Sequence, residues 1–149
     1  MNDKSLIIWI CSPLRSGSRR DLENNLRVAR KAGEVLLAMG HAPVIPHTMM
    51  TDLELPISEE ELIDRLCEIV KRCNAIAVPV VRKLVTNGKG ECDVIYDPPR
   101  ITSGMRQELR AFSGEACDGK FIAWLDTEKQ KLIVPDEEWL NLIWTDPHA

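Results

Sequence analysis

No run of apolar residues in this chain approaches the roughly 20 that a membrane-crossing helix requires, and no low-complexity tract interrupts its 149 residues. A basic excess is also missing. Lys and Arg total 19 against 23 Asp and Glu, for a net charge of −4 and a pI of about 5.4. That balance argues against a general binder of nucleic acid polymers and leaves room for a local pocket that takes one phosphate. CxxC pairs are absent. The five cysteines (Cys11, Cys67, Cys73, Cys92, Cys117) are odd in number and scattered, so four of them read as core or near-core thiols of a reduced protein, with no metal site expected. There is no GK[ST] after a glycine loop and no GxGxxG, which excludes a Walker loop and a dinucleotide fingerprint. A Ser-His-Asp set cannot be assembled, because His41 follows Gly40 at a helix end and His148 sits beside the C-terminus. Residues Met1 to Ser5 lack the basic start of a secretory signal, so the apolar Leu6 to Cys11 reads as a strand in a cytoplasmic protein.

What is present reads as one domain, with 44% hydrophobic and 28% charged residues. Leu6 to Cys11 is a continuous apolar run, as in a parallel strand covered on both faces. Ser18 with Asp21 gives a capping-box start to a first helix. Leu22, Leu26, Ala29, Ala32, Leu36 and Met39 follow at spacings of three and four, and Gly40 closes it. Pro43 to Pro46, leading to His47, is a short second strand. Ser58 with Glu61 opens a second helix bearing Leu62, Leu66, Ile69, Val70 and Cys73. Asn74 to Val81 is a third strand, Ser103 to Ala116 a third helix, Lys120 to Asp126 a fourth strand, and Pro135 to Trp144 a short last helix.

This alternation predicts an α/β fold: a flavodoxin- or Rossmann-like three-layer sandwich with a mainly parallel sheet of four to five strands. One domain would cover residues 1–149, with a C-terminal extension at 127–149. Ligands of such sheets bind beyond the carboxyl ends of the strands, which gathers the loop after Cys11, His47, the residues after Val81 and Asp126 around one crevice. Residues 82–102 show no clear periodicity and carry Gly88, Gly90, Pro98 and Pro99. They read as a long loop, either a lid over the site or a tolerated surface insertion. Tyr96, the only tyrosine, could stack on a planar ligand or pin that loop.

Two places carry chemistry. Met105, Leu109 and Phe112 share one face of the third helix, and Glu108 falls at the edge of the same arc. Its carboxylate points toward the core edge or, alternatively, pairs with Arg106 or Arg110 at the rim. Thr102 and Ser103 supply a cap, and Gly104 lets a ligand approach the backbone. The loop Ser12-Pro13-Leu14-Arg15-Ser16-Gly17-Ser18-Arg19-Arg20 joins hydroxyls, a glycine and arginines at a helix start, either an anion cradle or a solvated cap. His47 would face the crevice.

Cys11-Ser12-Pro13 with Arg15, Asn24 and Ala29, then GHAPVIPH (Gly40 to His47), KRCNAIAV (Lys71 to Val78) and TSGMRQE (Thr102 to Glu108) together resemble the nucleoside 2-deoxyribosyltransferase superfamily. The similarity spans roughly residues 6 to 126 and is closest to small members of unassigned function, akin to 2′-deoxynucleoside 5′-monophosphate N-glycosidases. It implies that Glu108 is a nucleophile attacking C1′ of a deoxyribosyl group, with water or a second base completing hydrolysis or transfer. A 5′-phosphate would rest on Arg15, Ser16, Gly17 and Arg19 with Thr102 or Ser103. The remaining substrate contacts would come from Cys11, Ser12, Pro13, His47, Tyr96, Gly104 and Met105. The resemblance implies a nucleotide or nucleoside as partner, no cofactor, and a homodimer or larger oligomer. One departure is Asn74, where many relatives have Asp. The supporting acid therefore falls to Asp64 or to Asp93 or Asp97. A nucleotide-binding module without turnover is the competing expectation.

Overall fold

The computed structural model describes residues 5–13, 18–47, 56–113 and 119–145. In chain order they form β1 (Ile7–Ile10), α1 (Arg19–Ala38), β2 (Ala42–Val44), α2 (Glu59–Val70), β3 (Ala75–Thr86), β4 (Cys92–Asp97), α3 (Ser103–Ser113), β5 (Phe121–Asp126), β6 (Lys131–Ile133) and α4 (Glu137–Leu142). Both capping signals act as read: Ser18 Oγ accepts from Asp21 N at 3.1 Å and Ser58 Oγ from Glu61 N at 3.2 Å. Gly40, at φ +92°, makes the left-handed turn that ends α1.

The sheet has six strands in the order β2-β1-β3-β5-β6, with β4 on β3 beyond this path. β1 lies parallel between β2 and β3, with Trp9 opposite Val44 and Ile76, and β5 runs parallel to β3. The first crossover moves toward one edge and the second returns across β1, so right-handed connections put α1 and α2 on opposite faces. The two buried clusters follow this division. Ile8, Ile10, Ala75 and Ala77 pack on Ala29, Ala32 and Leu36 of α1. Trp9, Cys11, Ile76 and Val78 pack on the other face against α2, α3 and α4. The alternation of side chains along β1 thus decides which layer each residue meets.

Two expectations are corrected. Residues 82–102 are not a structureless loop. β3 outruns its parallel neighbours and pairs antiparallel with β4, from Val81 opposite Asp97 to Thr86 opposite Cys92. The turn is built by Asn87, whose Oδ1 accepts from Lys89 N at 2.8 Å and Glu91 N at 3.1 Å. Gly90 there takes φ +79°, which a β-carbon would disfavour. The region is a two-stranded arm and not a loose lid. The sheet also holds more than five strands, because β6 in the supposed extension adds an antiparallel edge to β5.

The arm is tied to the domain at its root. Asp126, buried at the end of β5, accepts from Glu128 N and Lys129 N through Oδ1, both at 3.0 Å. Its Oδ2 accepts from Tyr96 Oη at 3.1 Å. Two-stranded hairpins are marginal alone, so this bond matters to the arm's order. Tyr96→Phe should cost about 1–2 kcal/mol, read by chemical denaturation, with faster amide exchange confined to β4 and the outer half of β3. Uniform exchange across the sheet would contradict an anchoring role.

Candidate active site around Glu108

Helical spacing leaves Glu108 on the flank of α3 that borders β1 and α2, while Met105, Leu109 and Phe112 enter the core. Thr102 starts the helix, its Oγ1 accepting from Met105 N at 3.2 Å and its carbonyl from Arg106 N at 2.9 Å. Trp9 Nε1 donates to Glu108 Oε2 at 3.0 Å. The Cys11 thiol, fully buried, donates to the Met105 carbonyl at 3.9 Å and lies beside the Glu108 carboxylate. Burial drives the Glu108 carboxyl up to a pKa of about 7, and the Trp9 and Cys11 donors hold it from rising further. The same negative charge, after burial, pushes the Cys11 thiol upward.

The rim alternative for Glu108 does not hold among the described residues. Arg110 Nε donates to the Ile143 carbonyl at 2.7 Å, its guanidinium lying 6.0 Å from the Trp144 ring, and the Nε of Arg106 is buried without a partner. Half-buried Cys67 on α2 donates to the Gln107 carbonyl at 3.8 Å. Burial raises its thiol pKa, with the charges of Glu108 and then Asp64 adding to it. Asp64 therefore stands on the Glu108 side of the sheet, exposed on α2 and outside hydrogen-bond contact with that carboxylate.

On the other face of β1, at the reversal point of strand order, lies a cavity of about 220 Å³. Ser12 and Pro13 beyond β1, Val28 of α1, Pro79 of β3 and Asp97 of β4 are among its walls. Pro79 belongs there for a backbone reason. Residues of a parallel strand address alternate neighbours. The last β1 bond reaches Ala77, where Cys11 N donates to its carbonyl at 3.0 Å. Two residues on, Pro79 faces the side that β1 has already left, so its missing N–H breaks no ladder.

His47 stands behind Ser12 and Pro13. It is buried, and its Nε2 lies 3.1 Å from the Ser12 carbonyl, 3.2 Å from the Pro13 carbonyl and 3.2 Å from Ser12 Oγ. Two carbonyl partners require the proton on Nε2, and burial lowers the ring's pKa, so the neutral imidazole donates there while Nδ1 is left unpartnered. His47 is therefore a brace for the loop after β1.

The candidates expected around one crevice thus divide by face. Cys11, Met105 and Glu108 cluster on the α3 side; Ser12, Pro13 and Asp97 line the cavity on the α1 side. Tyr96 is spent on Asp126. Ser103 is exposed, and an added Cβ at Gly104 would meet nothing within 4 Å, so the start of α3 is open to a ligand. Arg19 is exposed and paired with Glu23 at 3.4 Å. Exposed Asp93 sits in β4, on the arm, and Arg15, Ser16 and Gly17 lie outside the described residues. Sequence reasoning missed Trp9, although its parity with Cys11 in one strand was a signal for it. Of the cysteines expected in or near the core, Cys11 and Cys73 are buried and half-buried Cys67 packs against it, while Cys92 lies exposed on the arm and Cys117 falls outside the described residues.

No helix among the described residues is long and apolar enough to cross a membrane. Comparison with curated proteins gives no match. The family model described as a domain of unknown function, DUF7768, matches residues 6–118, which takes in β1 and the whole of α3 with Glu108, and the chain belongs to that family.

Proposed function

We propose that the protein cleaves or transfers at the N-glycosidic bond of a (deoxy)nucleoside 5′-monophosphate, with Glu108 as nucleophile. The observation that carries this reading is a half-buried carboxylate beside β1, held by one indole N–H. Such an arrangement is costly to a fold and useful to a reaction. The resemblance of TSGMRQE and the loop after β1 to deoxyribosyltransferases supports the same reading. Trp9 engages Oε2, so Oε1 is the attacking atom. Its bond to C1′ forms as the C1′–N bond breaks, and that electron pair leaves on the base nitrogen, which takes a proton from solvent. Water, or the nitrogen of a second base, then attacks C1′ and frees the carboxylate. The nucleophile is the ionised form, so kcat/KM should climb as pH rises through about 7.

In this reading the 5′-phosphate lies on the loop after β1 and the open start of α3, and the protein works in the cytoplasm as a homodimer. Exposed Val81, Leu84, Val94 and Ile95 of the arm supply apolar surface for self-association. The second reading, a nucleotide-binding module without turnover, is favoured by one observation: neither Asp64 nor Asp97 is in hydrogen-bond contact with Glu108.

The deciding experiment incubates the protein with a panel of nucleoside monophosphates and nucleosides, with and without an acceptor base, and follows free base by chromatography. The expected result is base release that falls at least about a thousandfold in Glu108→Ala. Release unchanged in that variant rejects the nucleophile. Stoichiometric binding of intact nucleotide without release establishes the module.

A further inference from the structure

The cavity beside β1 and the carboxylate across from it are separated by the end of one strand, and that separation has a chemical meaning. Displacement at C1′ with a covalent intermediate places nucleophile and leaving group on opposite sides of the carbon. Glu108 stands on the α3 side of β1 and the cavity on the α1 side. A sugar lying across the strand end would have Glu108 behind C1′ and its base in the cavity.

The cavity's size agrees. At about 220 Å³ it falls below the roughly 300–1,000 Å³ of sites that engulf a whole drug-sized ligand, so it suits one ring system with sugar and phosphate outside. Its walls agree too. Pro13, Pro79, Pro98 and Pro99 present flat, rigid, donor-free surfaces, joined by Val28 and Val81. The polar groups are few. Ser12 Oγ is within hydrogen-bond distance of His47, Asn25 lies on α1, and Asp97 closes the arm side. Lys83 Nζ takes Asp97 Oδ2 at 2.9 Å, and Oδ1 carries no hydrogen bond among the described residues.

We propose that this cavity, resting on the glycosidic reading above, is the leaving-base pocket and that Asp97 makes it select bases bearing an exocyclic amine. A carboxylate only accepts hydrogen bonds. An amino group offers it two N–H donors, whereas the carbonyl of a deaminated base aims a lone pair at it. Asp97 is thus a specificity residue.

The test measures binding of free bases to the full-length protein by calorimetry, in amino and oxo pairs: cytosine with uracil, adenine with hypoxanthine. Wild type should bind the amino member at least about tenfold more tightly. Asp97→Asn should erase that preference, and Val28→Trp, at a half-exposed helix position, should block both members while the thermal midpoint holds. Should Val28→Trp fail to fold, Asp97→Asn decides alone. Binding of a free base breaks no glycosidic bond, so failure of the glycosidic chemistry and failure of the pocket are read separately. Absence of base binding to wild type, equal affinity within each pair, or unchanged binding in folded Val28→Trp overturns the proposal.

Discussion

Replacing Glu108 by Gln should stabilise the fold at pH 8 and leave it nearly unchanged at pH 4. The carboxyl titrates near 7 in the folded chain against an ordinary value of 4.5. Between those values the folded state holds a proton that the unfolded state has released. Stability contributed by the protonated form is complete below about 4.5 and is lost as pH rises through about 7. Above that, the charged group costs on the order of 3 kcal/mol. Glutamine keeps the shape, and its amide oxygen still accepts from Trp9, while the charge is gone. Urea midpoints for both proteins at the two pH values check this. Equal midpoints at pH 8 would mean that Glu108 is an ordinary solvated carboxylate. A gain that grows from about pH 4.5 to 7 and then levels off would identify a residue that the fold carries against its own stability, which is the pattern of functional sites.

The layers of the fold were legible because burial writes itself into spacing. Leu6 to Cys11 is apolar without alternation since α1 covers Ile8 and Ile10 while α2 and α3 cover Trp9 and Cys11. Met105, Leu109 and Phe112 kept their helical period because a single face of α3 meets the core. The arm was illegible for the converse reason. Its Val81, Leu84, Val94 and Ile95 are exposed on both faces, so no buried side imposes a period of two, and glycines and prolines at its ends resemble loop punctuation. Asn87-Gly88 was the available hairpin signal. β6 has three residues on a sheet edge, too few for a pattern.

The site was half legible. Glu108 announced itself as a carboxylate on the rim of an apolar arc, a local property of one helix. Its partner Trp9 is 99 residues away, and a tryptophan in a buried strand reads as packing until the neighbouring helix is placed over it. The division of candidates between two faces was beyond sequence reasoning, because it depends on where α1 and α3 sit relative to β1. Asp64, near the correct helix seam, and Asp97, across the strand, look equivalent as sequence and differ in geometry.

Trp9→Phe should move the titration of Glu108 further into the alkaline range. Phenylalanine fills most of the same core volume on the α3 face but brings no N–H to Oε2. The indole is the stronger of the two donors that favour the ionised carboxylate, since a thiol donates weakly. Losing a hydrogen bond to a charged, half-buried group is worth about 1.5–3 kcal/mol, which corresponds to a rise of roughly one to two pKa units. Carbon-13 titration of the Glu108 carboxyl reads the shift without any substrate. Where base release is observed, the acid limb of kcat/KM should move upward by the same amount, with activity recovering at high pH. A limb that stays near 7 would mean that packing against the ring, and not its N–H, sets the carboxylate's character. Recovery at high pH separates loss of charge from loss of position: a misplaced Glu108 would remain slow when fully ionised, whereas one that has merely lost its donor would regain its rate.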